Sequence, residues 1–212
     1  SLCANDPALV GCWPMEEGNG TFIIDATTFG NDGSITGGPT WVTGMNGLAL
    51  DLSGTGQYAM FPDNNSLDIA SNRITLSAWI KPEKVATQNI IKKTTGTTTA
   101  NGYELSLSAA GKVFMRLNGN VNYRIDSLAS YPSDGNTWMH VATTYDGTTL
   151  RMYINGVLDN TKAATLTIAP NATNLGVGAE PTFINLYQGL LDDVRVYNRE
   201  LSLAEIQVLF GN

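Results

Sequence analysis

The chain has 212 residues, of which only 15% are charged and 22 are glycine, a balance that favours many short strands joined by turns over long helices. Twelve basic residues stand against 19 acidic ones, and the net charge of −7 excludes a basic surface for nucleic acid or anionic membrane. No stretch approaches the roughly 18 apolar residues of a membrane helix, and no basic segment followed by an apolar one opens the chain. It therefore reads as a mature protein or excised module forming a single domain over residues 1–212, with no membrane insertion.

In chain order, Cys3 and Cys12 come first, at a spacing that matches no zinc pattern. They either close a small loop that ties down the N-terminal segment or are two unrelated thiols, and the bridge would imply an oxidising compartment. A strand is predicted over residues 9–15, then a polar loop over 25–33 between the apolar pair Ile23-Ile24 and Ile35. Strands follow over 48–52 and 58–61. Residues 74–82 alternate with period two, which turns Ile74, Leu76, Ala78 and Ile80 to the core and leaves Trp79 on the opposite face. Residues 94–101 form a Thr/Gly-rich loop, and strands are expected over 103–107, 113–117 and 121–125. On these, Val113, Met115, Leu117, Val121, Tyr123 and Ile125 take the inward phase. Asp146-Gly147 and Asn155-Gly156 supply the positive φ angles of tight hairpins, so residues 136–157 open a meander of three antiparallel strands. A last strand spans 190–197. Ser202 and Glu205 then have the spacing of a capping box, and Leu203, Ile206 and Leu209 give a short helix an apolar stripe with which to cover one end of a sandwich.

Several of these stretches, in this order, resemble one family. Trp13 is followed by Glu16-Glu17-Gly18-Asn19-Gly20, and Gly47-Leu48-Ala49-Leu50-Asp51 comes next. Trp138-Met139-His140-Val141-Ala142 leads into Thr144-Tyr145-Asp146-Gly147, and Gly189-Leu190-Leu191-Asp192-Asp193-Val194-Arg195-Val196-Tyr197 lies near the end. Together they are similar to the LamG-like jelly roll of the concanavalin A-like lectin and glucanase superfamily, with Met139 in place of the family's usual first histidine. The resemblance implies an all-β jelly-roll sandwich of two antiparallel sheets with one short C-terminal helix. It also implies a structural calcium held by Asp192, by the carbonyl of Gly47, and by oxygens of a loop containing Asp25 and Asn31. The Asp/Asn/Gly chemistry of that loop suits a hard cation, and it equally suits Asx-turns closed on their own backbone.

Enzymes share this fold, so catalysis must be weighed. The retaining glucanases carry a Glu-x-Asp-x-Glu strand, which sets two carboxylates about 5–5.5 Å apart, and this chain has none. Glu16-Glu17 and Asp192-Asp193 are adjacent, which in a regular strand sends them to opposite faces. His140 has no identifiable partner and reads as a structural histidine, and no catalytic residue is assigned. A sugar site needs aromatic platforms and planar polar groups. The outward phase of the middle strands offers Glu104, Arg116, Asn118, Asn122 and Arg124; Trp41, read as a loop residue, and Trp79 are the aromatic candidates. An ordinary solvated sheet face would look the same. The sequence thus reads as a noncatalytic, calcium-stabilised, carbohydrate-binding module, secreted or on the cell surface and joined to other domains of a larger chain. Its ligand class is a polysaccharide or glycan, anionic ones included. The rival is a protein-binding or spacer module of an adhesive surface protein; a polysaccharide hydrolase or lyase is the third reading.

Overall fold

The computed structural model describes residues 3, 6–69, 71–95 and 101–211. Sixteen strands and one helix follow in chain order. They begin with β1 (Leu9–Trp13), β2 (Phe22–Ile23), β3 (Gly33–Thr36), β4 (Thr40–Thr43), β5 (Leu48–Ser53), β6 (Tyr58–Phe61), β7 (Ile74–Pro82) and β8 (Gln88–Lys93). They continue with β9 (Tyr103–Leu107), β10 (Lys112–Leu117), β11 (Arg124–Ser130), β12 (Met139–Tyr145), β13 (Thr149–Ile154), β14 (Val157–Ala163), β15 (Leu175–Val177), β16 (Gln188–Tyr197) and α1 (Leu203–Phe210). All pairings are antiparallel and build two sheets. The first has the order β14-β13-β12-β7-β16-β5-β4, with β1 also paired to β16; the second runs β11-β10-β9-β8-β15-β6-β3-β2. Of the predicted loop at 94–101, residues 96–100 lie outside the described residues.

The inner faces of the two sheets share one core. Ile74, Leu76, Ala78 and Ile80 enter it from β7, and Val113, Met115 and Leu117 from β10, all fully buried as the alternation predicts. The expected strand over 121–125 is displaced. Residues Val121–Tyr123 form a 3-10 turn capped by the Asn120 side chain, so Val121 is exposed and the inward phase begins with Ile125.

The outer face of the first sheet is covered as well. Ser202 and Glu205 make both hydrogen bonds of the capping box. The helix so started lies across the sheet rather than over an end of the sandwich: Ile206 and Leu209 pack with Leu9, Ala142, Tyr153 and Tyr197 in a second apolar cluster. Cys3 and Cys12 are disulfide-bonded within that cluster, at a Cα separation of 5.9 Å.

Two irregularities position chemistry. In β16 the register shifts between Asp192 and Arg195, with Asp193 at φ +51°, where the strand exchanges β5 for β1 as its neighbour. That bulge overturns the opposite-face expectation for the adjacent acids, because Asp192 and Asp193 both reach Asn46. The second is a register shift in β8 between Asn89 and Ile91.

Candidate functional site

On the outer face of the second sheet, one row of cross-strand neighbours runs over all eight strands: Phe22, Ser34, Met60, Gly176, Lys92, Glu104, Arg116 and Arg124. The last four alternate in sign except at the final step, and opposite charges directly across an antiparallel pair attract. Lys92 Nζ stands 3.2 Å from Glu104 Oε2 and 2.5 Å from Glu180 Oε2, and Arg116 pairs with Glu104 through its Nε. Arg124 binds Asp126 on its own strand and lays its guanidinium 3.8 Å from the centroid of Phe114. Ser106 Oγ ties Asn89 and Glu104 together at 3.0 and 3.3 Å.

These groups lie in an open pocket of about 310 Å³, whose lining includes Asn89, Lys92, Glu104, Arg116, Arg124 and Glu180. Its floor is stiff, because every one of these side chains is held by a partner. It is also deeply set, since Glu104 is fully buried and Lys92 and Arg116 are 2% and 6% exposed. The site therefore offers hydroxyl-sized ligands fixed donors from Lys and Arg alternating with fixed carboxylate and amide acceptors. Lys92 stands between the carboxylates of Glu104 and Glu180 and pairs with both.

Three of the seven residues expected to bind ligand, Glu104, Arg116 and Arg124, thus meet in one pocket. The others do not join them. Asn118 sits in a turn at φ +51°, its amide donating to Thr167 O and accepting from Ala169 N. Asn122 is exposed in the 3-10 turn. Trp41 belongs to strand β4 rather than a loop, and it packs half-buried against the core. Trp79 does face outward, but α1 hides it: Phe210 stacks on the indole at 5.6 Å and only 3% of the residue is exposed. Lys92, Asn89 and Glu180 were not legible as site residues. The bulge in β8 breaks the period-two signal there, and Glu180 reaches Lys92 from a loop 88 positions later.

The four expected calcium ligands fall into two groups. Asp25 is saturated by donors: Oδ1 accepts from Cys12 N and Thr27 N, and Oδ2 from Thr27 Oγ1 and Asn31 N. Asn31 is likewise occupied, by Val10 O and Ser66. Four N–H and O–H groups aimed at Asp25 make it a turn-former and leave no open lone pair for a cation. The second group differs. Asp192 Oδ2 accepts from Met45 N and Asn46 N, while its Oδ1 is buried with no hydrogen-bond partner. Burial pushes the Asp192 carboxyl up to about 7, and the nearby Asp193 and Glu16 carboxylates add to that, against the two amide hydrogen bonds. Gly47, at φ +76°, turns the chain here. That left-handed φ favours glycine, and a Cβ on Gly47 would stand 2.2 Å from Glu16 Oε1 and push that carboxylate away from the turn. Among the described residues no three acidic, histidine or cysteine side chains form a metal-holding cluster, so a cation here would draw on backbone oxygens.

His140 is 1% exposed, wedged between Trp79 and Phe210, and its Nδ1 has no hydrogen-bond partner. Burial, reinforced by the Arg195 guanidinium, pulls its pKa down to about 3, so it is a neutral packing residue. Among the described residues no helix is long and apolar enough to cross a membrane.

Other proteins share this architecture. The binding domain of Paraclostridial mosquitocidal protein 1 is similar with a TM-score of 0.75 at 19% identity, over 99% of this chain and 52% of that one. Domain 4 of AbnA, a GH43 extracellular arabinanase from Geobacillus stearothermophilus solved with arabinotriose, gives 0.72 at 20% identity, over 95% and 97% of the two chains. A botulinum neurotoxin type C structure, described by that toxin's interaction with two ganglioside molecules, gives 0.72 at 15% identity over 100% and 52%. At these identities the likeness is one of fold, and the chain spans about half the length of the two toxin structures. No curated protein is similar to it in sequence. The family model for the concanavalin A-like lectin/glucanases superfamily matches residues 53–207, from the end of β5 into the capped helix, and with two antiparallel sheets on one shared core the chain belongs to that superfamily.

Proposed function

We propose that this domain is a noncatalytic carbohydrate-recognition module, and that its ligand seat is the pocket over β8 to β11. The observation that carries the reading is the ion-paired floor of Glu180, Lys92, Glu104 and Arg116. Buried ion pairs are costly, and apolar replacements of similar volume often serve stability as well or better. A sandwich has no need of such a network on its outer face, whereas a polyol ligand needs rigid, alternating donors and acceptors. Because the cations are already paired with carboxylates, the site favours a neutral sugar over an anionic one. The disulfide, the acidic net charge, and neighbours that are the binding domain of a mosquitocidal protein and a domain of an extracellular arabinanase support a secreted or surface setting within a larger chain. A glycan array followed by titration calorimetry tests the reading. The expected result is a neutral oligosaccharide ligand whose binding is lost in Glu104→Gln; an array with no hits would favour the protein-binding or spacer alternative.

We further propose that calcium binds beside the turn at residues 44–47. Asp192 and Glu16 would supply carboxylate oxygens, and the Gly47 carbonyl one backbone ligand. The buried, unpartnered Asp192 Oδ1 supports this. Hard cations favour such oxygens, and a bound cation would offset the charge repulsion around Asp192. Asp25 and Asn31 are left out of this set. With calcium at a hundred times its dissociation constant, the folded state should gain about 2.7 kcal/mol. Chelator-stripped protein resupplied with calcium should therefore melt several degrees higher, and Asp192→Asn should abolish the gain while Asp25→Ala leaves it. Superimposable curves would remove the metal.

A further inference from the structure

The polar floor does not account for one wall of the pocket. After β15 the chain crosses back over its own sheet, so close that a Cβ on Gly176 would stand 2.3 Å from the Ala179 carbonyl. The loop is pinned there. Glu180 pairs with Lys92, and Asn89 donates from its backbone N to Asn185 O at 3.0 Å and from its side chain to Ile184 O at 3.4 Å. A tight turn in which Phe183 N donates to Glu180 O and Glu180 N to Ile184 O shapes the tip. At that tip Phe183 and Ile184 are 55% and 54% exposed. Phe183 at φ +66° and Asn185 at φ +53° both occupy the left-handed region, which a phenylalanine rarely adopts. The anchors hold this strain, and its effect is to aim an aromatic ring outward. Tyr58 of β6 stacks on one face of the ring, at 5.1 Å between centroids and 23° between planes, and leaves the other face for a ligand. Ile184 and Asn185, which follow Phe183 in the chain, line the pocket itself, and the ring stands beside it on the β6 side of the loop.

We infer that Phe183, backed by Tyr58, is a stacking platform for the sugar unit next to the one seated in the pocket. The site then reads a neutral oligosaccharide of two or more units with an apolar C–H face, in preference to a monosaccharide. This rests on the carbohydrate reading of the pocket. A sugar is the fitting occupant because its rings join an apolar face to a polar rim, matching an exposed aromatic ring beside a hydrogen-bonding floor. A protein partner would bury about 800 Å² per side, and two exposed side chains on a loop tip are far short of that. The polar floor alone would discriminate little by length, whereas the ring makes affinity depend on it.

The test titrates wild type, Phe183→Ala and Phe183→Trp with arabinotriose, cellotriose, laminaritriose and mannotriose, and with the four parent monosaccharides. Thermal melting checks that the variants are folded. A bound trisaccharide should lose on the order of tenfold in affinity in Phe183→Ala, equivalent to about 1.4 kcal/mol, and recover it in Phe183→Trp. Monosaccharide affinity should not change. A trisaccharide bound equally by wild type and Phe183→Ala would overturn the platform while leaving the pocket reading intact. Failure of wild type to bind any of the sugars would overturn both.

Discussion

Arg116 and Arg124 are cross-strand neighbours on one row, yet the fold depends on them unequally. Arg116 is buried and paired with Glu104, so Arg116→Ala should cost about 3 kcal/mol, the scale of a broken buried pair. Arg124 has a side chain 28% exposed, and Arg124→Ala should stay within about 0.5 kcal/mol of wild type. Melting curves of the two variants check this ordering, and a binding loss in Arg124→Ala with unchanged melting would assign that residue to the ligand. His140 makes a pH prediction. Its folded pKa, about 3, lies below the ordinary value of 6.5, so between those limits the unfolded chain binds the extra proton. Stability owed to neutral His140 is therefore complete above about pH 6.5 and falls by about 1.4 kcal/mol per unit on acidification. Relative to His140→Leu, which cannot titrate, wild type should weaken with that slope between pH 6 and 4; denaturant titrations at matched pH values measure it.

At the scale of elements, α1 decides what the first sheet exposes. Its start is written in Ser202 and Glu205, and Ser202→Ala should cost about 1 kcal/mol. In a domain of this size that corresponds to a melting temperature lower by roughly 2–4 °C. The destination of the helix is not written locally. Ile206 and Leu209 show only that one side seeks burial, and the outward-facing Trp79, His140 and Tyr153 across three strands of the sheet provide the cover. The same limit applies to β8. Its six residues include Ile90 and Ile91 side by side, and a bulge lets both reach the core while Asn89 and Lys92 still face the pocket.

For the whole molecule, the disulfide joins the N-terminal segment to the cluster beneath α1. Closing a loop with a sequence separation of 9 should be worth about 2.5 kcal/mol on the chain-entropy account. Reduction should lower the melting temperature accordingly and raise the intact mass by two hydrogens, and absence of the mass change would show two free thiols instead. The pocket proposed to bind carbohydrate is also a property of the whole. Its floor draws Lys92, Glu104 and Arg116 from three neighbouring strands, and Glu180 from a loop far along the chain.

The amino-acid sequence by itself determined the sandwich, because strand alternation and tight-turn residues are local signals. Ile74 to Ile80 and Val113 to Leu117 alternate with period two, and Asp146-Gly147 and Asn155-Gly156 turn the hairpins. It likewise carried the capped helix and three residues of the pocket, since the outward phase of Glu104 and Arg116 follows from their neighbours' inward phase. Tertiary structure alone decided that Trp79 is covered, that Asp25 is satisfied while Asp192 keeps an unpartnered oxygen, and that Lys92 and Glu180 complete the pocket. The physical reason is common to all three. Burial, hydrogen-bond satisfaction and ion pairing depend on partners that β-pairing brings from distant parts of the chain, and local periodicity does not contain them.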